Sequence, residues 1–166
     1  MSRLRSTVIT EDLLAALRGA RHLGWHGIHG VSHWRRVREN GLRLAGATGA
    51  DTLVVEYFAF LHDLKRLNDG RDPLHGRRAA EYIGTVRGTL VHLDDQQFKQ
   101  LVHACAHHTD GTTHSDATIC TCWDADRLDL ARVDIYPDPL RLCTDAARDP
   151  AIIAWAVRRS RRGLKT

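Results

Sequence analysis

The run Leu53–Leu61, interrupted only by Glu56, ends directly in His62-Asp63. A segment apolar on nearly every helical face belongs in the middle of a bundle rather than on its surface. Its end therefore carries an imidazole and a carboxylate inward. There an unpaired polar group costs roughly 2–7 kcal/mol, and a charge more. A divalent metal ion removes that penalty, because neutral histidine and ionised aspartate are both ligands for one. The remaining ligand types lie on either side. His33 precedes the doublet, and His75, His107-His108 and Asp126 follow it.

The rest of the chain reads as helices, since apolar residues recur at three and four and few stretches alternate. Thr10 is a cap for a first helix to about His22. Gly24–Gly30 is too glycine-rich for anything but a loop, and a second helix starts at about Ser32. Asp51 caps a third, Thr52 to about Leu67. After the turn Asn68–Pro73, Asp72 caps a fourth helix with Pro73 in its first turn. Asp94 or Asp95 caps a fifth, ending near His107-His108. A sixth runs from Asp116 or Ala117 to about Val133, and two short helices finish the chain. The expected fold is all-α, a single-domain helical bundle. Within the sixth helix Ile119, Cys122, Trp123, Leu130 and Val133 form one stripe at about 100° per residue, with Asp126 in its middle and Asp124 and Asp129 off it.

Composition narrows the function. The 43% hydrophobic and 27% charged content is that of an ordinary globular domain. The longest apolar stretch is too short to span a bilayer, and Met1–Arg5 lacks a secretory core, so a cytoplasmic protein without membrane association is expected. Cys120 and Cys122 diverge by roughly 200° on a helix and cannot grip one ion, so the four cysteines read as buried reduced thiols. Of the 24 basic residues, five lie in residues 158–166, leaving 19 against 20 acidic ones. The body is thus near neutral and offers no broad basic surface for nucleic acid. This divides the chain into a domain over 1–157 and a solvated basic tail over 158–166.

The order H…HD…H…HH…D resembles the HD-domain superfamily of metal-dependent phosphohydrolases, over about residues 30–135. His33 in Val31–Val37 corresponds to the first histidine, His62-Asp63 to the doublet, and Asp126 in Asp124-Ala-Asp-Arg-Leu128 to the last aspartate. His75, His107 and His108 are similar to the extra histidines of dinuclear subgroups. No GYP segment follows His107-His108, and Leu64-Lys65-Arg66-Leu67 replaces the stringent-response signature.

The resemblance implies a phosphatase or phosphodiesterase acting on a nucleotide or other small phosphate ester through metal-activated water. One metal ion falls to His33, His62, Asp63 and Asp126, and a second to His75, His107 and His108 with Asp63 as bridge. Iron, manganese, cobalt, nickel, zinc and magnesium all remain open. Arg66 takes the place where many such phosphodiesterases carry lysine, with Lys65 as neighbouring alternative, and is the expected phosphate-binding cation. Asp124 is either a water-orienting group or a surface residue. Two other readings compete: an HD-fold di-iron oxygenase, and a non-catalytic metal-stabilised module that binds nucleotide or protein.

Overall fold

The computed structural model describes residues 8–162. Among the described residues eight α-helices follow in chain order: α1 Glu11–Ala20, α2 Val31–Thr48, α3 Thr52–Leu61, α4 His75–Thr85, α5 Asp95–His107, α6 Ala117–Arg127, α7 Asp145–Arg148 and α8 Pro150–Arg162. Short 3-10 turns occupy Leu130–Val133 and Pro139–Arg141. The fold is all-α, as the periodicity requires.

The helix starts are chemically marked. The Thr10 hydroxyl accepts from the Leu13 N–H, the Asp51 carboxylate from Leu53 and Val54, and the Asp116 carboxylate from Thr118 and Ile119. Asp94, rather than Asp95, builds a reciprocal capping box with Gln97. Each such cap is worth roughly 0.5–2 kcal/mol. Between α1 and α2, Gly27 and Gly30 shape consecutive turns, and a Cβ on Gly30 would collide with the Trp25 carbonyl.

Helix α3 is the axis of the bundle. Val54, Val55, Phe58, Ala59 and Leu61 are buried, and α2, α5 and α6 pack around them with Trp34, Val37, Leu101, Ile119 and Trp123. A second apolar cluster joins Leu44 and Leu128 to Leu142, Ala147, Ile153 and Val157, which fastens the C-terminal helices to α2 and α6. Cys105, Cys120 and Cys122 are buried free thiols, while Cys143 is half-buried. Burial pushes the Cys105 and Cys122 thiols up, away from the reactive thiolate.

Four boundaries depart from the sequence reading. Helix α3 stops at Leu61 instead of continuing to Leu67, so His62 and Asp63 lie in the turn that leaves it. Asp72 does not cap α4, which begins at His75 behind Leu74; its carboxylate instead accepts from the Leu67 N–H and from Arg78. Helix α6 ends at Arg127, six residues before Val133, and the chain tightens into a 3-10 turn. Residues 158–162 complete α8 rather than forming a solvated tail: Ser160 is buried, and Arg159 donates to Asn40 and pairs with Glu39. Residues 163–166 of that segment lie outside the described residues.

Candidate metal centre

His62 is the C-cap of α3, with helical backbone angles and its N–H bonded to the Phe58 carbonyl, and Asp63 follows it in the turn. His62 Nε2 and Asp63 Oδ2 come within 3.7 Å of each other. His33, on the first turn of α2, brings its Nε2 to 3.2 Å from His62 Nε2. From the last turn of α6, Asp126 Oδ1 lies 3.3 Å from His33 Nε2 and 3.6 Å from His62 Nε2. On the other side of Asp63, His75 opens α4 and His108 closes α5, with their Nε2 atoms 2.8 Å apart.

Asp63 stands between the two histidine pairs. Its Oδ2 faces His33 at 3.6 Å and His62 at 3.7 Å. Its Oδ1 faces His75 at 3.0 Å and His108 at 3.5 Å. The groups His33–His62–Asp126 and His62–Asp63–His108 each hold their ligand atoms within 4.8 Å of one another.

The ring tautomers give a stricter test of what fits there. In all four histidines Nδ1 faces an acceptor: Asp129 Oδ2 for His33 at 2.7 Å, the Phe58 carbonyl for His62 at 3.0 Å, the Asp72 carbonyl for His75 at 2.5 Å and the Cys105 carbonyl for His108 at 2.8 Å. Each Nδ1 therefore carries a proton and donates it, so in the neutral ring Nε2 is the lone-pair atom, and any further proton has to sit there. Lone pairs then face lone pairs across both close Nε2 contacts, with carboxylate oxygens around them. Two acceptors cannot bond to each other; only a cation between them, a proton on one Nε2 or a metal ion, makes the contact favourable. The donor set, nitrogen and carboxylate oxygen with every outer ring nitrogen anchored, fits divalent metal ions.

The electrostatics agree. Burial alone would raise the Asp63 carboxyl, but His62 and hydrogen bonds from His108, His29 and His75 hold it well below the usual range. Asp126 is likewise held low by His62 and His33 against the opposing effect of burial. For His62 the desolvation cost is outweighed by Asp63 and Asp126, so its ring is biased towards positive charge. Burial and the Arg132 charge push His33 the other way.

Two expected residues lie elsewhere. His107 projects from the solvent side of α5, with its side chain 51% exposed and its ring tilted beside that of His103, centroids 4.7 Å apart. It follows that only one member of the His107-His108 doublet can face inward. Asp124 is buried on the far side of α6, where its carboxylate accepts from the Cys143 and Thr144 N–H groups and the Thr144 hydroxyl. It neither faces the histidines nor lies on the surface. Arg66 does sit at the centre, but its guanidinium is spent on Asp63 Oδ1 at 3.1 Å and on the carbonyls of Asn68 and Gly70.

Two residues that spacing alone does not assign to the site also touch the cluster. Asp129, placed off the α6 stripe by helical projection, is fully buried and holds His33, Arg36 and Ser160. The projection fails because α6 has already ended at Arg127. Burial would raise its carboxyl, yet the His33 and Arg36 donors bring it down to about 2. His29, at the end of the glycine-rich loop, sets Nδ1 at 2.8 Å from Asp63 Oδ2. Its proximity to His33 in sequence was the available signal.

A cavity of about 710 Å³ opens over the cluster. Asp63, His108 and Asp126 lie at its base, Arg66, Arg127, Arg132 and Arg141 along its walls, and Ile135 and Tyr136 at an apolar lip.

An all-helical bundle with a buried histidine–aspartate cluster beneath an open cavity is an arrangement compatible with a metal site. Among solved structures the chain is similar to the crystal structure of a predicted HD superfamily hydrolase from an uncultured Thermotogales bacterium. The two are 28% identical with a TM-score of 0.66, covering 93% of this chain and 90% of that one. No protein-family model and no curated protein matches. The motif-based resemblance is thus borne out by the fold, and the cluster is compatible with an HD-type metal site. The neighbour supports a hydrolase in the general sense. No described helix is long and apolar enough to cross a membrane.

Proposed function

We propose that the protein is a metal-dependent phosphohydrolase, a phosphatase or phosphodiesterase acting on a nucleotide or other small phosphate ester. The observation that carries this reading is Asp63, whose two oxygens each face one histidine pair at the base of an arginine-walled cavity. His33, His62, Asp63 and Asp126 would hold one divalent ion, and His75, His108 and Asp63 a second. Such ions supply Lewis acidity to phosphoryl oxygens and acidify water at neutral pH.

The chain's own groups do the rest. Carbonyls and Asp129 fix the four rings so that their lone pairs converge before any ligand arrives, which removes reorganisation from the binding step. Arg66 and His29 hold Asp63 from both of its oxygens. The arginine walls favour an anionic substrate over a neutral one, and the Ile135–Tyr136 lip suits an apolar or planar leaving group.

Metal analysis of protein purified without chelator, followed by a phosphate-release screen across nucleotides and simple phosphate esters, tests this. Hydrolysis should be retained when the native ion is exchanged among manganese, cobalt and magnesium, and should vanish with the metal in His62→Ala. Substrate-dependent oxygen uptake by an iron-loaded form, with no ester cleaved by any metal form, would replace the hydrolase by an oxygenase.

A further inference from the structure

We infer that Arg141 is the residue that grips the substrate's phosphate oxygens, an assignment that deepens the phosphohydrolase reading and rests on it. Four arginines line the cavity: Arg66, Arg127, Arg132 and Arg141. Arg66 is committed to Asp63, Asn68 and Gly70. Arg127 donates to the carbonyls of Arg141 and Gly111. Arg132 donates to the carbonyls of Ile28 and Asp129 and approaches His29. These three act as internal braces. Among the described residues, the Arg141 guanidinium makes no hydrogen bond and no ion pair, although it lines the cavity. Asp138, the acidic residue nearest in sequence on that wall, uses Oδ1 to accept from the Leu140 N–H and forms no ion pair with it.

A solvated surface arginine would also lack partners, but its backbone would not need such support. Arg141 ends the 3-10 turn Pro139–Arg141, which Asp138 caps. Its carbonyl is held by Arg127, one residue past the candidate ligand Asp126. The next residue, Leu142, is buried in the second apolar cluster, and Asp124 accepts from the backbone N–H groups of Cys143 and Thr144. The backbone that carries Arg141 is thereby fastened at three points to the helix that carries Asp126. An unpaired guanidinium carried on a firmly held backbone, in the same cavity as the candidate metal ligands, is suited to two-point recognition of a phosphate. The buried Asp124 acquires a purpose: it fixes the mount.

The test is binding of inorganic phosphate to the metal-loaded protein by titration calorimetry, with metal content measured alongside. Arg141→Ala should weaken phosphate by about tenfold or more, Arg141→Lys by less, and Arg77→Ala, on the exposed face of α4, not at all. Metal content should be equal in all four proteins, and KM for any cleaved ester should rise in Arg141→Ala more than kcat falls. Equal phosphate affinity in wild type and Arg141→Ala overturns the assignment. So does absence of phosphate binding by the wild type, or an equal loss of metal in both Arg141 variants. Arg141-dependent phosphate binding without cleavage of any ester upholds the inference and overturns the hydrolase reading; cleavage with KM unchanged in Arg141→Ala does the reverse.

Discussion

At the scale of single residues, the centre depends as much on what holds the histidines as on the histidines. His33 can present an Nε2 lone pair only while its Nδ1–H has an acceptor, and that acceptor is Asp129. Replacing it with asparagine keeps the shape but lets an amide N–H face the ring, which favours the wrong tautomer. Loss of such an anchoring group typically costs 10–100-fold in metal affinity. Asp129→Asn should therefore show a drop of about that size in competition with a fluorescent chelator, while the exposed Asp134→Asn should match wild type. Equal affinities in the two variants would mean that Arg36 and Ser160, not His33, are what Asp129 serves. His107→Ala should leave metal stoichiometry unchanged, since its ring is turned to solvent, whereas His108→Ala should remove the second ion.

Between elements, the second histidine pair exists because α4 and α5 approach closely at Gly76. A Cβ there would stand 2.5 Å from the Cys105 carbonyl, the same carbonyl that accepts from His108 Nδ1. Gly76→Ala must push the helices apart or displace that carbonyl, and elemental analysis should find the stoichiometry falling from near two towards one. Two ions retained in Gly76→Ala would show that the interface yields without moving either ring. The same scale explains what the sequence disclosed. Periodicity and caps revealed the helices, and the apolar run before His62-Asp63 marked the axis, because both signals are local. The roles of Asp129 and Asp124 were not legible, since they depend on where α6 ends and on which distant groups each carboxylate meets. Arg66 has the sequence position of a phosphate-binding cation, yet its partner Asp63 is three residues away in its own turn. Residues 158–162 looked like a solvated tail because charge density masked the burial of Ser160 in α8. Truncation after Val157 removes the Ser160 bond to Asp129 and the Arg159 bond to Asn40. At roughly 0.5–1.5 kcal/mol for an ordinary hydrogen bond and more for a charged one, the truncated chain should melt several degrees lower, by calorimetry, than the full one. An unchanged Tm would restore the solvated-tail description.

For the molecule as a whole, the four inward lone pairs make protons and metal ions competitors for one space. Without metal, Asp63 and Asp126 overcome the burial penalty and raise the His62 pKa above its ordinary 6.5. A histidine with a raised folded value contributes stability that is fully present below the unfolded pKa and is lost as pH rises through the folded one. His33 is shifted downward and acts only below 6.5, where the unfolded chain takes up the extra proton. Above that pH the His62 effect is the one left of the two. The chelator-stripped protein should therefore lose stability as pH climbs from 6.5 through the His62 value. Metal ions bind deprotonated ligands and stabilise the folded state by mass action, more strongly as the competing proton leaves. The gap in Tm between loaded and stripped protein should widen over that window, measured by scanning calorimetry at fixed free metal concentration. His62→Gln should flatten the pH dependence of the stripped form. A gap that stays constant or narrows from pH 6.5 upward would mean that no proton occupies the space between His33 and His62 in the stripped protein, and that the two rings separate instead.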